Sequence, residues 1–172
     1  MLQQADIAAD LLVAADECRF TTDADCRLIS RDLRSSVAVA VHAPKIGLAA
    51  LLRFSRPDSE EASETNPWAC ADTAIPLFFA AVREMGVEYR DLSVYAAGGA
   101  FDTAEGKSNV LALRRLLWRE GILLKGSDTG GNVSRSLWLE AGSGRIIVRS
   151  HANAARVGTR SMIGAQRWHC AS

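Results

Sequence analysis

The strongest hydrophobic pattern in the chain lies between residues 37 and 52. Val37 to Val41 alternates valine with alanine, so β-branched side chains recur at every second position of an apolar run. That pattern is typical of a buried β-strand. A turn of four residues, 42–45, separates it from a second apolar run at 46–52. The spacing predicts a β-hairpin.

Shorter apolar runs predict further strands. The segments concerned are 13–20, 26–30, 92–97, 122–124, 133–139 and 145–149. The last two flank the turn Ala141–Gly144 and predict a second hairpin. The glycine-rich loop 128–132 is not a phosphate-binding loop, because neither a G-K-[ST] sequence nor the start of a helix follows it.

Two segments have the periodicity of amphipathic helices. The first spans about 67–85 and ends before Gly86, and the second spans about 108–120 and ends before Gly121. Pro76 would kink a first helix that began at Pro67, and a start near Asp72 would relieve that. Three arginines, at 114, 115 and 119, favour a solvated face on the second helix.

The two ends of the chain are predicted to lie outside the main domain. Residues 2–12 have helix-forming composition without a strong apolar face, which indicates a short helical extension or a frayed tail. Residues 151–172 favour a disordered tail over a small docking segment. The expected division is an extension at 1–12, a domain at 13–150 and a tail at 151–172.

Composition and charge narrow the classes of function. The 172 residues are 48% hydrophobic, and 20 basic residues balance 20 acidic ones, so no long-range field favours nucleic acid or an anionic membrane. No apolar stretch reaches the roughly 20 residues that span a bilayer, and the N-terminus lacks the basic region of a signal peptide. We therefore expect a cytoplasmic protein.

Metal and cofactor sites are not indicated by the sequence. The four cysteines show no C-x-x-C spacing and the three histidines are scattered, so we expect free thiols, no metal and no cofactor. The polar loop 56–66, with Glu60, Glu61 and Glu64, is interpreted as solvated, the alternative being a rim that faces a basic partner.

The first hairpin opens a series of five short motifs. They are Leu33-Arg34-Ser35-Ser36-Val37-Ala38-Val39 with Gly47 and Ala50 after it, Ala71-Asp72-Thr73-Ala74, Ala97-Gly98-Gly99-Ala100, Asn109-Val110, and Asp128-Thr129-Gly130-Gly131-Asn132 with Arg135. In this order they resemble motifs of the chemoreceptor glutamine deamidase family (CheD): L-G-S-C-V-A-V, Y-A-D-x-A, G-G-A, R-N-V and D-x-G-G-N-x-x-R. The resemblance covers about residues 13 to 149.

The resemblance implies a fold and a set of site residues. The implied fold is α+β, a β-sandwich-like core of mixed sheets flanked by two main helices. The implied pocket and motif positions are Arg34, Ser35, Gly47, Asp72, Gly98, Gly99, Asn109, Asp128, Gly130, Gly131 and Arg135.

The same resemblance marks three catalytic positions at which this sequence differs. Ser36 stands where the family has its nucleophilic cysteine, Leu51 where it has a histidine base, and Ser30 where it has a supporting threonine. Arg34 replaces a small residue, and it could cover the pocket or point to solvent.

These differences predict impaired chemistry. In the family a thiolate attacks the glutamine side-chain amide and an imidazole activates it. A thiol titrates near pH ~8.5, whereas a serine hydroxyl is far less acidic and depends more on its base. Leu51 cannot accept a proton, and losing members of such a unit costs several orders of magnitude in rate.

Three other residues are candidates for replacing the lost groups. His42 lies six residues from Ser36, roughly 20 Å along a strand, and is expected in the turn facing solvent. His151 follows the last predicted strand and cannot be placed from sequence. Cys70 could be a relocated nucleophile, although a cysteine there is more often a small buried hydrophobe.

Three functional hypotheses follow. The first is a catalytically silent CheD-like protein whose partners, implied by the resemblance, are the chemoreceptor cytoplasmic region or a CheC-type phosphatase. The second is an active protein-glutamine deamidase with rearranged catalytic residues. The third is a relative in fold alone with a non-chemotactic binding role.

Overall fold

The computed structural model describes residues 9–59 and 65–151, and the backbone of residues 165–167. Its elements are β1 (Ala9–Leu12), β2 (Glu17–Thr21), β3 (Cys26–Leu33), β4 (Val37–Ala43), β5 (Leu48–Phe54), α1 (Ala71–Glu84), β6 (Ser93–Gly98), α2 (Ala104–Glu120), β7 (Gly126–Thr129), β8 (Ser134–Glu140), β9 (Ile146–His151) and β10 (Ala165–Arg167).

The strands form two mixed sheets. The central sheet has the order β2-β5-β4-β6-β7, and the outer sheet has the order β1-β3-β8-β9-β10. The β1–β3 and β6–β7 pairs are parallel and the other pairs are antiparallel. The hairpin predicted from 37–52 is confirmed as the antiparallel pair β4–β5, joined by a short 3₁₀ turn.

Side-chain alternation along β4 separates two hydrophobic cores. Val37, Val39 and Val41 lie in the core that the central sheet shares with α1 and α2. Ala38 and Ala40 lie in the core between the two sheets. The order is therefore outer sheet, central sheet and helices, and the predicted α+β architecture with two main helices is confirmed.

The helix boundaries follow from local sequence. The first helix begins at Ala71, close to the alternative start, with Pro76 inside it and Gly86 beyond its end at φ 86°. The second helix begins at Ala104, four residues before the predicted 108, because the Thr103 side chain caps it by accepting a bond from the Gly106 amide at 3.0 Å.

Several short elements differ from the sequence prediction. Residues 9–12 form strand β1 instead of a helical extension, because their backbone pairs with β3. The strand predicted at 13–20 spans 17–21, and the one predicted at 122–124 begins at Gly126, where it pairs with β6. His42 belongs to β4 and is buried, so its predicted place in a solvent-facing turn is wrong.

Parts of the predicted loop and tail lie outside the described residues. These are 60–64 of the polar loop, and the tail beyond His151 apart from the backbone of 165–167, which pairs with β9 as β10. Within the described part of the chain, neither helix has the length and apolar character needed to cross a membrane.

Candidate functional site

The polar segment Arg34-Ser35-Ser36 lies where the chain enters β4, against the end of β6. The Gly99 amide donates to the Ser36 carbonyl at 2.9 Å, and the Ala100 amide donates to the Arg34 carbonyl at 2.6 Å. Ser36 is itself buried, with 6% of its surface exposed. The turn at 98–100, which belongs to the Ala97–Ala100 motif, therefore holds the segment that carries the predicted nucleophile position.

Both glycines of that turn are required by close backbone approach. Gly98 has φ 111°, and a Cβ atom there would overlap the Ser36 carbonyl oxygen. Gly99 has φ 59°, and its Cβ would overlap the Val110 side chain. A side chain at either position would strain the backbone. It would also push the Ser36 segment away from β6 at position 98, or α2 away from the turn at position 99.

Arg53 is the side chain hydrogen-bonded to Ser36. Its Nε donates to the Ser36 Oγ at 3.2 Å, and its Nη1 donates to the Arg31 carbonyl at 2.7 Å. Burial lowers the pKa of Arg53, and the charges of Asp16 and Asp32 oppose that shift. The guanidinium has N–H donors and no acceptor, so it can orient the hydroxyl but cannot take its proton.

Leu51 lies further along the same strand. Its Cα partner in β4 is Ala40, whereas that of Arg53 is Ala38, two residues nearer to Ser36. Ser36 and Ala40 are four positions apart, which corresponds to about 13 Å of strand. The Leu51 side chain is fully buried in the core between the sheets.

Ser30 is used in another contact. Its hydroxyl donates to the Val13 carbonyl at 3.2 Å in a buried position. In the described part of the chain, no hydrogen bond joins Ser30, Ser36 and Leu51 to one another. The three positions that the sequence suggested as a catalytic set are thus held by three separate sets of contacts.

Asn109 ties the second helix to the candidate site. It is fully buried, and its Nδ2 donates to the Ser35 carbonyl at 2.9 Å and to the Ser55 carbonyl at 2.7 Å. One amide group therefore joins the residue before Ser36 to the residue after β5. Asn109 Oδ1 is buried without a partner in the described structure.

The glycine-rich loop 128–132 lies against the turn at 98–100. The Gly130 amide donates to the Gly98 carbonyl at 3.1 Å, and the Phe101 amide donates to the Gly131 carbonyl. Arg135, 4% exposed, fixes this loop because its Nε donates to Asp128 Oδ1 at 2.8 Å.

The remaining motif residues are distributed differently. Arg34 extends to the surface and pairs with Asp102 at 2.6 Å, with half of its side chain exposed. Asp72, at the start of α1, accepts bonds from the Ser59 amide and hydroxyl. Gly47 follows the opposite end of β4 and is not part of the site.

The candidate replacements for a base or nucleophile are engaged elsewhere. The Nε2 atom of His42 lies 3.0 Å from the Ala141 carbonyl oxygen. Burial lowers the pKa of this imidazole, and the hydrogen bond to Ala141 opposes that shift. His151 ends β9 beside Ser134. Cys70 is fully buried just before α1.

Sequence reasoning missed Arg53. The available signal was a lone cation within an apolar strand, since Leu48 to Phe54 contains no other charged residue. An arginine in such a strand is normally paired or placed at its end, which here is the end next to Ser36.

Comparison with known proteins agrees with the five motifs. Residues 55–150, more than half of the chain, match the family model described as CheD chemotactic sensory transduction. A probable chemoreceptor glutamine deamidase CheD 1 of Syntrophus aciditrophicus is 32% identical over 156 residues, which cover 86% of this chain and 98% of the relative. A probable chemoreceptor glutamine deamidase CheD of Solibacter usitatus is 37% identical over 147 residues, or 79% and 86% of the two chains. The chain therefore belongs to the CheD family.

Proposed function

We propose that this protein binds a chemoreceptor cytoplasmic region, or a CheC-type phosphatase, in the cytoplasm and does not hydrolyse the glutamine amide. Relatives named as probable chemoreceptor glutamine deamidases support the class of substrate. The hydrogen bond from Arg53 to the Ser36 hydroxyl is the observation that supports the loss of chemistry.

The chemical reason is the direction of that hydrogen bond. Nucleophilic attack on an amide requires a group that removes the hydroxyl proton as the new bond forms. Arg53 donates to the Ser36 oxygen and has no lone pair with which to accept. Substrate binding uses other groups, so a binding surface can survive where the reaction does not.

We further propose that Arg53, and not Leu51, occupies the position from which a base would act. The support is the register of β5, in which Arg53 contacts Ser36, whereas Leu51 pairs with Ala40, about 13 Å along the strand from Ser36. A histidine at 53 would lie within hydrogen-bond reach of residue 36, and one at 51 would not.

A deamidation assay with paired variants tests both proposals. Purified protein is mixed with a glutamine-bearing chemoreceptor fragment, and conversion of amide to acid is followed by mass spectrometry. We expect no conversion by the natural sequence and measurable conversion by Ser36→Cys with Arg53→His. The matched control, Ser36→Cys with Leu51→His, should stay inactive because its imidazole cannot reach the thiol.

Two other outcomes would each contradict one of the proposals. Conversion by the natural protein would contradict the loss of activity, and conversion by the Leu51→His pair alone would contradict the assignment of position 53. Calorimetry measures separately whether the natural protein binds the receptor fragment and whether it binds a purified CheC-type phosphatase. Failure to bind either partner would favour the third hypothesis, in which the protein shares only the fold of the family.

A further inference from the structure

The outward face of α2 combines positive charge with large exposed apolar side chains. Its exposed cations are Lys107, Arg114, Arg115 and Arg119. On the same helix Leu111 is 60% exposed and Trp118 is 84% exposed. A tryptophan this exposed is unusual, because burying its ring is worth more than burying almost any other side chain.

These side chains share one line along the helix. Leu111 and Trp118 are seven residues apart, which is two helical turns or about 10.5 Å, and Arg115 lies between them. We call the surface formed by Leu111, Arg115 and Trp118 the α2 face.

A groove adjoins one end of the α2 face. It has a volume of about 230 Å³ and is lined by Pro57, Asp58, Ser108, Leu111, Ala112 and Arg115. Arg115 spans it by pairing with Asp58 at 3.1 Å. The surface thus offers a concave site of mixed polarity at Leu111 and a projecting ring at Trp118.

We propose that the α2 face binds an acidic amphipathic helix of a partner protein. Two apolar anchors one heptad apart match the spacing by which a helix lies along a groove or a second helix. Tryptophan and arginine are the residue types that contribute most binding energy in protein interfaces. The helix carries four cations against two acidic residues, Glu105 and Glu120, and two of the cations pair within the protein, Arg115 with Asp58 and Arg119 with Glu120. The remaining excess of positive charge favours a partner segment of negative charge and accelerates its association.

This surface is separate from the candidate site. The inward side of the same helix carries Asn109, which holds the Ser35 carbonyl, whereas Leu111 and Trp118 point away from it. A partner on the α2 face therefore leaves Ser36 uncovered. The inference goes beyond the proposed function and does not depend on whether deamidation occurs.

A protein helix fits the surface better than a lipid bilayer does. Tryptophan with arginine also suits anionic headgroups. A bilayer surface, however, would span the mouth of the groove without filling it, whereas a side chain from a partner helix can enter beside Leu111. Anionic vesicles consequently form one arm of the test.

The test measures binding of a synthetic helical peptide by isothermal calorimetry with the full chain. The peptide carries leucines three and four residues apart along one face and glutamates elsewhere. We expect saturable binding, and a loss of at least about tenfold in affinity for Trp118→Ala with Arg115→Glu. The matched control, Ile46→Ala with Arg90→Glu, changes an exposed apolar residue and an exposed arginine at the other end of β4 and should bind as the natural sequence does.

Two further arms decide between occupants. A peptide with lysine in place of each glutamate should not bind, because the net positive charge of α2 repels it. Phosphatidylserine vesicles should bind no better than neutral phosphatidylcholine vesicles. Equal affinity of the natural protein and the α2 variant for the acidic peptide would overturn the proposal. The proposal would also be overturned if the natural protein bound vesicles but no peptide, and if the α2 variant lost that vesicle binding.

Discussion

Replacing Asn109 should weaken the fold at the candidate site more than its single side chain suggests. The Nδ2 group donates two hydrogen bonds, to the Ser35 and Ser55 carbonyls at 2.9 and 2.7 Å, and the residue is fully buried. In Asn109→Ala both carbonyl oxygens lose that donor in the interior. Each such loss costs about 1–3 kcal/mol.

One feature of the native state reduces the loss of stability expected for Asn109→Ala. Asn109 Oδ1 is buried without a partner among the described residues, so its removal relieves part of the cost. We therefore expect the free energy of unfolding to fall by about 2–4 kcal/mol. Urea denaturation followed by circular dichroism measures this as a lower midpoint with an unchanged slope.

Two variants separate the lost hydrogen bonds from a lost volume. Asn109→Asp keeps the size of the side chain but places an oxygen against both carbonyls, so it should destabilise at least as strongly as Asn109→Ala. Ser108→Ala, at the exposed neighbouring position, should change stability by less than about 0.5 kcal/mol. If Asn109→Asp unfolded at the same urea concentration as the natural protein, the account of Asn109 as a double donor would be refuted.

Two further predictions concern charged groups. Asp128→Ala leaves Arg135 buried without its carboxylate and should lower the free energy of unfolding by about 2–4 kcal/mol in urea denaturation. The control Asp58→Ala breaks the exposed pair with Arg115 and should lower it by at most about 1 kcal/mol. Similar losses in the two variants would contradict the role of burial. Burial lowers the pKa of His42 below the unfolded value of about 6.5, so the unfolded chain binds more protons and stability should fall as pH drops below about 6.5. Unfolding midpoints compared at about pH 7.5 and about pH 5 should therefore differ less in His42→Gln than in the natural sequence, and an equal difference would show that His42 is not responsible.

Local sequence was sufficient for the elements that carry their own signals. The alternation of valine and alanine defined β4, and the apolar run after the turn defined β5. Glycines beyond both helices marked their ends. The five motifs in their order pointed to the family that the comparisons show, and Gly98, Gly99 and Asn109 among them each make or permit a close backbone contact.

Short strands and buried polar contacts depended on tertiary structure. Residues 9–12 and 126–129 are strands only because β3 and β6 offer backbone partners to them. His42 is buried because the turn 141–144, between β8 and β9 of the outer sheet, covers it, and Gly144 lies against its ring. The exposed pair of Leu111 and Trp118 became visible only when the buried side of α2 was known.

The identity of the side chain beside Ser36 shows most clearly what the sequence left undetermined. Alternation with a period of two places Leu51 and Arg53 on the same side of β5. It did not tell us which of them lies next to Ser36, because a shift of two residues between strands leaves every side chain on its original face. Only the register of β5 on β4 made that choice, and it placed Arg53 there.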